Sequence, residues 1–149
     1  MNELRDLYQQ VILDHYKQPR NFYRLKPATH HAKGHNPLCG DEVDIWLDIQ
    51  DNIIRDIGFT GQGCAISTAS ASLMTEALRG KTLSEAHQIF DEVRAMVTTD
   101  TQLTSPAGKL MVLAGVRQFP ARVKCAMLAW HTLNAALNHQ TKPVSTEQT

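Results

Sequence analysis

The chain has 149 residues, 42% of them hydrophobic and 20% charged, enough for one buried core and a single domain. Lysine plus arginine equals aspartate plus glutamate at 15 each, so the formal net charge is zero and no basic excess points to a nucleic-acid partner. No run of about 18 apolar residues is present, and the N-terminus Met1-Asn-Glu-Leu-Arg-Asp6 is polar and acidic where a secretory signal is basic and then apolar. A cytoplasmic protein without a membrane partner is expected.

From Asn2 to Lys17, apolar residues at Leu4, Leu7, Tyr8, Val11 and Ile12 follow the three-and-four spacing of one helix face. Gln18-Pro19 ends that helix, because the residue before a proline is steered out of the helical region. A loop runs to about Thr29, and His30 to His35 holds a short edge strand ending at Gly34. Val43, Ile45, Leu47 and Ile49 alternate with Asp44, Trp46, Asp48 and Gln50, the period of a strand with one buried face. Asp51-Asn52 is a turn dipeptide, so Ile53 to Thr60 forms the second arm of a hairpin that feeds Gly61 and Gly63.

Cys64 then stands where strand gives way to helix. The small residues Ala65 to Ser72 continue into Arg79, Gly80 stops the helix, and small side chains leave room for a closely packed neighbour. Thr82 with Glu85 caps a third helix that runs to about Val97. Thr98 to Gly108 reads as a loop, Lys109 to Val116 as a short helix, and Pro120 as the first turn of a last helix that reaches Asn138. Residues 140–149 are polar and unpatterned, so the domain is assigned to residues 1–139 followed by a disordered tail.

The three cysteines carry the chemistry. An odd count in a reducing compartment argues against a disulfide framework and towards metal binding or thiol chemistry. Cys39 and Asp41 flank Gly40, and residues two apart in extended chain point the same way, so a thiolate and a carboxylate converge. Cys64 at a helix N-terminus meets unpaired N–H groups and the positive end of the dipole, which lower a thiol pKa. Cys125 follows Lys124 and lies one helical turn after Arg122, among charges that favour the thiolate. Three thiolates and a carboxylate make the four ligands of a closed zinc site and leave about two negative charges, which Arg122 and Lys124 are placed to offset. Each residue taken singly has a plainer reading: a lone cysteine as a small buried hydrophobe, Asp41 as a turn residue, His15 as a packed or solvated side chain, and His30, His31 and His35 as solvated loop histidines.

Four segments, Asp14-His-Tyr-Lys-Gln-Pro-Arg-Asn21, Asn36-Pro-Leu-Cys-Gly-Asp41, Gly61-Gln-Gly-Cys-Ala-Ile-Ser67 and Phe119-Pro-Ala-Arg-Val-Lys-Cys125, resemble the IscU family of iron–sulfur cluster assembly proteins, in the family's order. Scaffold-type members carry a histidine immediately before the third cysteine. This chain has Lys124 there, and a longer stretch between Cys64 and Cys125, both similar to the SufU branch. The resemblance implies an α+β domain with a small three-stranded antiparallel sheet packed against several helices. It implies zinc held by Cys39, Asp41, Cys64 and Cys125, with Cys39 as the acceptor of persulfide sulfur from a SufS-type cysteine desulfurase and Arg122 in docking that partner. A downstream scaffold or apo-protein acceptor is expected to receive the sulfur. The alternative is a scaffold on which an iron–sulfur cluster is built and passed to apo-proteins, since the ligand types overlap.

Overall fold

The computed structural model describes residues 3–98, 108–139 and 142–146. Helix α1 covers Glu3–Lys17, and three strands follow: β1 at His30–Asn36, β2 at Asp41–Gln50 and β3 at Ile53–Gln62. Helices α2 (Ala65–Leu78) and α3 (Leu83–Thr98), a 3-10 helix (Gly108–Val116) and α4 (Pro120–Leu137) complete the helical part, and a two-residue strand β4 (Val144–Ser145) comes last. The loop expected from Thr98 to Gly108 falls on residues 99–107, outside the described residues.

The sheet order is β3-β2-β1-β4. β2 pairs antiparallel with both β1 and β3, whereas β4 runs parallel to β1 with Gly34 opposite Val144 and His35 opposite Ser145. The expected three-stranded antiparallel sheet is therefore a four-stranded mixed one, α+β as expected. The additional strand comes from the stretch that reads as a disordered tail. His139 takes a positive φ of 52° just beyond α4, and Val144–Ser145 lies along β1, with Ser145 and Thr146 buried. Two residues cannot show a period of two, and Val144 stands alone in a polar stretch, so this strand leaves no pattern in the sequence.

The β2–β3 hairpin follows the sequence closely. Asp51 and Asn52 both have positive φ, 55° and 61°, the conformation of the two-residue turn whose twist matches that of the flanking strands. One face of the hairpin supplies Ile45, Leu47, Ile54, Ile57 and Phe59 to the core, all at most 2% exposed. Helix α4 crosses this face and adds Leu128, Trp130 and Leu133, and α2 adds Met74 and Leu78. Each such side chain contributes about 1.5–3 kcal/mol when removed from water.

Buried small residues on α2, among them Ala69, Ser70, Ala71 and Ser72, let the helix pack closely between α1 and α4. Their hydroxyls are used: Ser70 Oγ donates to the Ala126 carbonyl at 2.6 Å and accepts from Trp130 Nε1 at 3.1 Å. The capping box of α3 is present as read, with the Thr82 N–H donating to Glu85 Oε1 at 2.9 Å and the Glu85 N–H donating to Thr82 Oγ1 at 3.1 Å.

Candidate metal centre

The register carries the candidate residues to one end of the sheet. Asn36 pairs with Asp41 across the β1–β2 turn, and Glu42 pairs with Gln62 at the end of β3. Cys39 therefore sits in the turn, Asp41 opens β2, and Cys64 follows β3 as the N-cap of α2. Cys125 arrives from the other side, on the face of α4 that packs on the sheet, and is 3% exposed.

Two glycines make the approach possible. Gly40, at φ 73°, closes the turn by donating its N–H to the Asn36 carbonyl at 2.9 Å, which lifts Cys39 outward. A Cβ at Gly63 would overlap the Asp41 carboxylate. Without it the carboxylate lies against the backbone, and the Cys64 N–H donates to Asp41 Oδ1 at 2.8 Å. Oδ2 is thereby aimed at the thiols, 3.8 Å from Cys64 Sγ.

Cys125 Sγ lies 3.6 Å from Cys39 Sγ, and the ligand atoms of Cys39, Asp41 and Cys125 all lie within 4.8 Å of one another. A tetrahedral zinc with Zn–S bonds near 2.3 Å separates its sulfurs by about 3.8 Å. The spacings of Cys39, Asp41 and Cys125 thus fit a zinc ion, with Cys64 adjoining through Asp41, and thiolate and carboxylate are donors that zinc accepts. Burial differs sharply within the set: Asp41 is fully buried, Cys125 buried, Cys64 half-buried and Cys39 exposed.

The thiols titrate unequally. A hydrogen bond from the Cys125 thiol lowers the Cys64 pKa to about 7, helped by the Ser67 and Ile66 N–H groups at the start of α2 and opposed by burial and the Asp41 charge. The Ser67 N–H lies 3.4 Å from Cys64 Sγ. Cys125 moves the other way: its proton is held by the Cys64 thiolate and burial disfavours its charge, so its pKa is raised.

Arg122 is exposed and stacks 4.5 Å over the Phe119 ring, within reach of the Tyr8 hydroxyl. Lys124 is half-buried beside Cys125 on α4. Of the six candidate residues, the structure gathers Cys39, Asp41 and Cys125, with Cys64 beside Asp41, while the guanidinium of Arg122 is engaged with the Phe119 ring and the Tyr8 hydroxyl. His15 is fully buried in the helical layer, with Nδ1 on Ser72 Oγ at 2.7 Å and Nε2 on Lys109 Nζ at 3.2 Å. His31 stacks on Trp46 at 4.9 Å and contacts Asp44 at 2.8 Å, and His30 stacks on His139 at 4.2 Å. Sequence reasoning passed over Asn36, which is fully buried with Nδ2 3.4 Å from Asp41 Oδ2 and 3.5 Å from Cys125 Sγ. Its one signal is the Asn-Pro dipeptide, which marks a turn and says nothing of a metal.

The sequence profile described as NifU-like N terminal domain matches residues 7–145. The chain belongs to the NifU-like N-terminal domain family. Within that family it is 41% identical over 133 residues to the zinc-dependent sulfurtransferase SufU of Bacillus subtilis, covering 87% of this chain and 88% of the relative. It is 38% identical to the iron–sulfur cluster assembly scaffold protein IscU of Streptococcus pyogenes serotype M1, covering 92% of this chain and 86% of that one. The crystal structure of FiSufU from Fervidobacterium islandicum AW-1, described as a cluster assembly scaffold for the SUF system, matches with a TM-score of 0.78 at 33% identity. That match covers 89% of this chain and 97% of FiSufU. The N-terminal NifU-like protein of Brucella abortus shares the fold of this family member at a TM-score of 0.79 and 23% identity, covering 91% and 94% of the two chains. No helix among the described residues is long and apolar enough to cross a membrane.

Proposed function

We propose that this chain is a zinc-dependent sulfurtransferase of iron–sulfur cluster biogenesis, acting in the cytoplasm, that accepts persulfide sulfur from a SufS-type cysteine desulfurase. The observation that carries the reading is the graded burial of a cluster of zinc-type donors, Asp41 and Cys125 buried, Cys64 half-buried beside Asp41, and Cys39 exposed in a turn. Bound zinc would keep the thiols deprotonated at neutral pH. Cys39 is the sulfur a partner's active site can reach. Its thiolate attacks the terminal sulfur of the desulfurase Cys–S–SH; a new S–S bond forms on Cys39, the old one breaks, and the desulfurase cysteine leaves as thiolate. Electrons balance without an external oxidant. The Cys39 persulfide then passes its sulfur to a scaffold or apo-protein acceptor. Arg122, exposed on the same side of α4 as Phe119, is suited to docking the partner, and Lys124 stands where the scaffold branch has histidine. The 41% identical relative named as a zinc-dependent sulfurtransferase supports the assignment.

The test is metal analysis with a desulfurase assay. The purified protein should be colourless with one zinc and should stimulate sulfide release. Cys39→Ser should abolish that stimulation and leave the fold intact; a Cys39→Ser protein with full stimulation sinks the reading. A second reading, a scaffold that carries a cluster on the same four groups, draws on the Streptococcus relative's name. Brown colour and transfer of an intact cluster to an apo-acceptor would select it instead.

A further inference from the structure

We infer that Asn36 is a positioning residue for the metal centre and couples it to the C-terminal segment that forms β4. The inference rests on the zinc reading above. Asn36 closes β1, is fully buried, and uses both ends of its amide. Oδ1 accepts the Leu38 N–H at 3.2 Å and the Thr146 hydroxyl at 3.1 Å. Nδ2 donates towards Asp41 Oδ2 at 3.4 Å and Cys125 Sγ at 3.5 Å. The orientation of the amide is fixed by chemistry: a backbone N–H can only donate, so the oxygen must face Leu38 and the NH2 group must face the carboxylate and the sulfur.

One side chain thus touches the turn that carries Cys39, two of the candidate ligands, and the end of the chain. Asparagine suits the place for a definite reason. A loaded site of three thiolates and one carboxylate carries about two excess negative charges. A neutral amide supplies two donors to those charges from inside the protein, where a lysine or arginine would need solvation of its own. Aspartate at this position would turn a like charge on Asp41. Thr146, 4% exposed, occupies the second lone pair of Oδ1 and so helps hold the NH2 group on its targets. Groups that orient metal ligands in this way are worth about 10- to 100-fold in metal affinity.

The experiment measures zinc affinity by competition with a chromophoric chelator, together with the absorption spectrum of the cobalt(II)-substituted protein, for the parent chain, Asn36→Asp and Thr146→Val. Asn36→Asp keeps an acceptor for Leu38 and Thr146 and removes both donors. It should lose about 10- to 100-fold in zinc affinity and shift the sulfur-to-cobalt charge-transfer band. Thr146→Val, lacking one hydroxyl, should lose about two- to fivefold with a smaller shift of the same band. A merely structural role would lower thermal stability and leave the band in place. Parent-like affinity and spectrum in Asn36→Asp overturn the positioning role, and in Thr146→Val they overturn the coupling to the tail. If Asn36→Asp does not fold, Thr146→Val decides alone. A parent chain that binds neither metal overturns the zinc reading, and this inference with it, before any variant is made.

Discussion

At Gly63 the missing side chain matters more than any that is present, because the Asp41 carboxylate occupies the space a Cβ would take. Gly63→Ala should displace Asp41 and raise the rate of zinc loss to a chelator about tenfold or more, with the secondary structure by circular dichroism unchanged. A rate equal to that of the parent would show that the carboxylate does not depend on this contact. His15 offers a second test. Lys109 Nζ can only donate, so Nε2 accepts and the Nδ1–H points to Ser72 Oγ, which also accepts the Arg20 N–H at 2.8 Å. Burial, with the charges of Arg20 and Lys109, holds the His15 pKa below its usual 6.5. The unfolded chain takes up a proton near 6.5 and the folded one does not, so stability is full above that pH and falls as the pH drops below it. Urea midpoints between pH 7.5 and about 5 should decline, and less steeply in His15→Gln. Cys39, Asp41 and Cys64 were legible because their glycine contexts are written beside them, and Cys125 through the basic residues before it. Asn36 was not, since its partners at 125 and 146 are brought near only by the fold.

The elements read from periodicity are those with a strong local signal: the alternation of β2, the paired left-handed residues Asp51 and Asn52, and the Thr82–Glu85 cap. Thr82→Ala removes the hydroxyl that holds the Glu85 N–H and should lower unfolding free energy by about 1 kcal/mol in a urea titration. An unchanged midpoint would mean the first turn of α3 is held by packing alone. Strand ends were less legible. β2 begins at Asp41 and β3 runs on to Gln62, each about two residues beyond the apolar alternation, because hydrogen bonding across the ladder continues where the buried face has ended. β4 was invisible for the complementary reason: it has backbone pairing and buried hydroxyls but no apolar stripe.

Across the whole molecule, the candidate metal centre joins β1–β2, the start of α2 and α4, so metal bound there would act on global stability. Removing zinc with a chelator should lower the melting temperature. Restoring free zinc at about 100 times its dissociation constant should return about 2.7 kcal/mol. A melting curve indifferent to zinc would separate the site from the fold. The candidate donors stand at positions 39, 41, 64 and 125, a separation of 86 positions from first to last. That spacing sets an order of events in biosynthesis. The chain emerges from the ribosome N-terminus first, so the hairpin and α2 can form while α4 is still inside. Until α4 docks, two thiols and a carboxylate are gathered without their fourth partner. A closed four-donor site therefore waits for α4 to emerge and dock, whatever the order in which the other elements form.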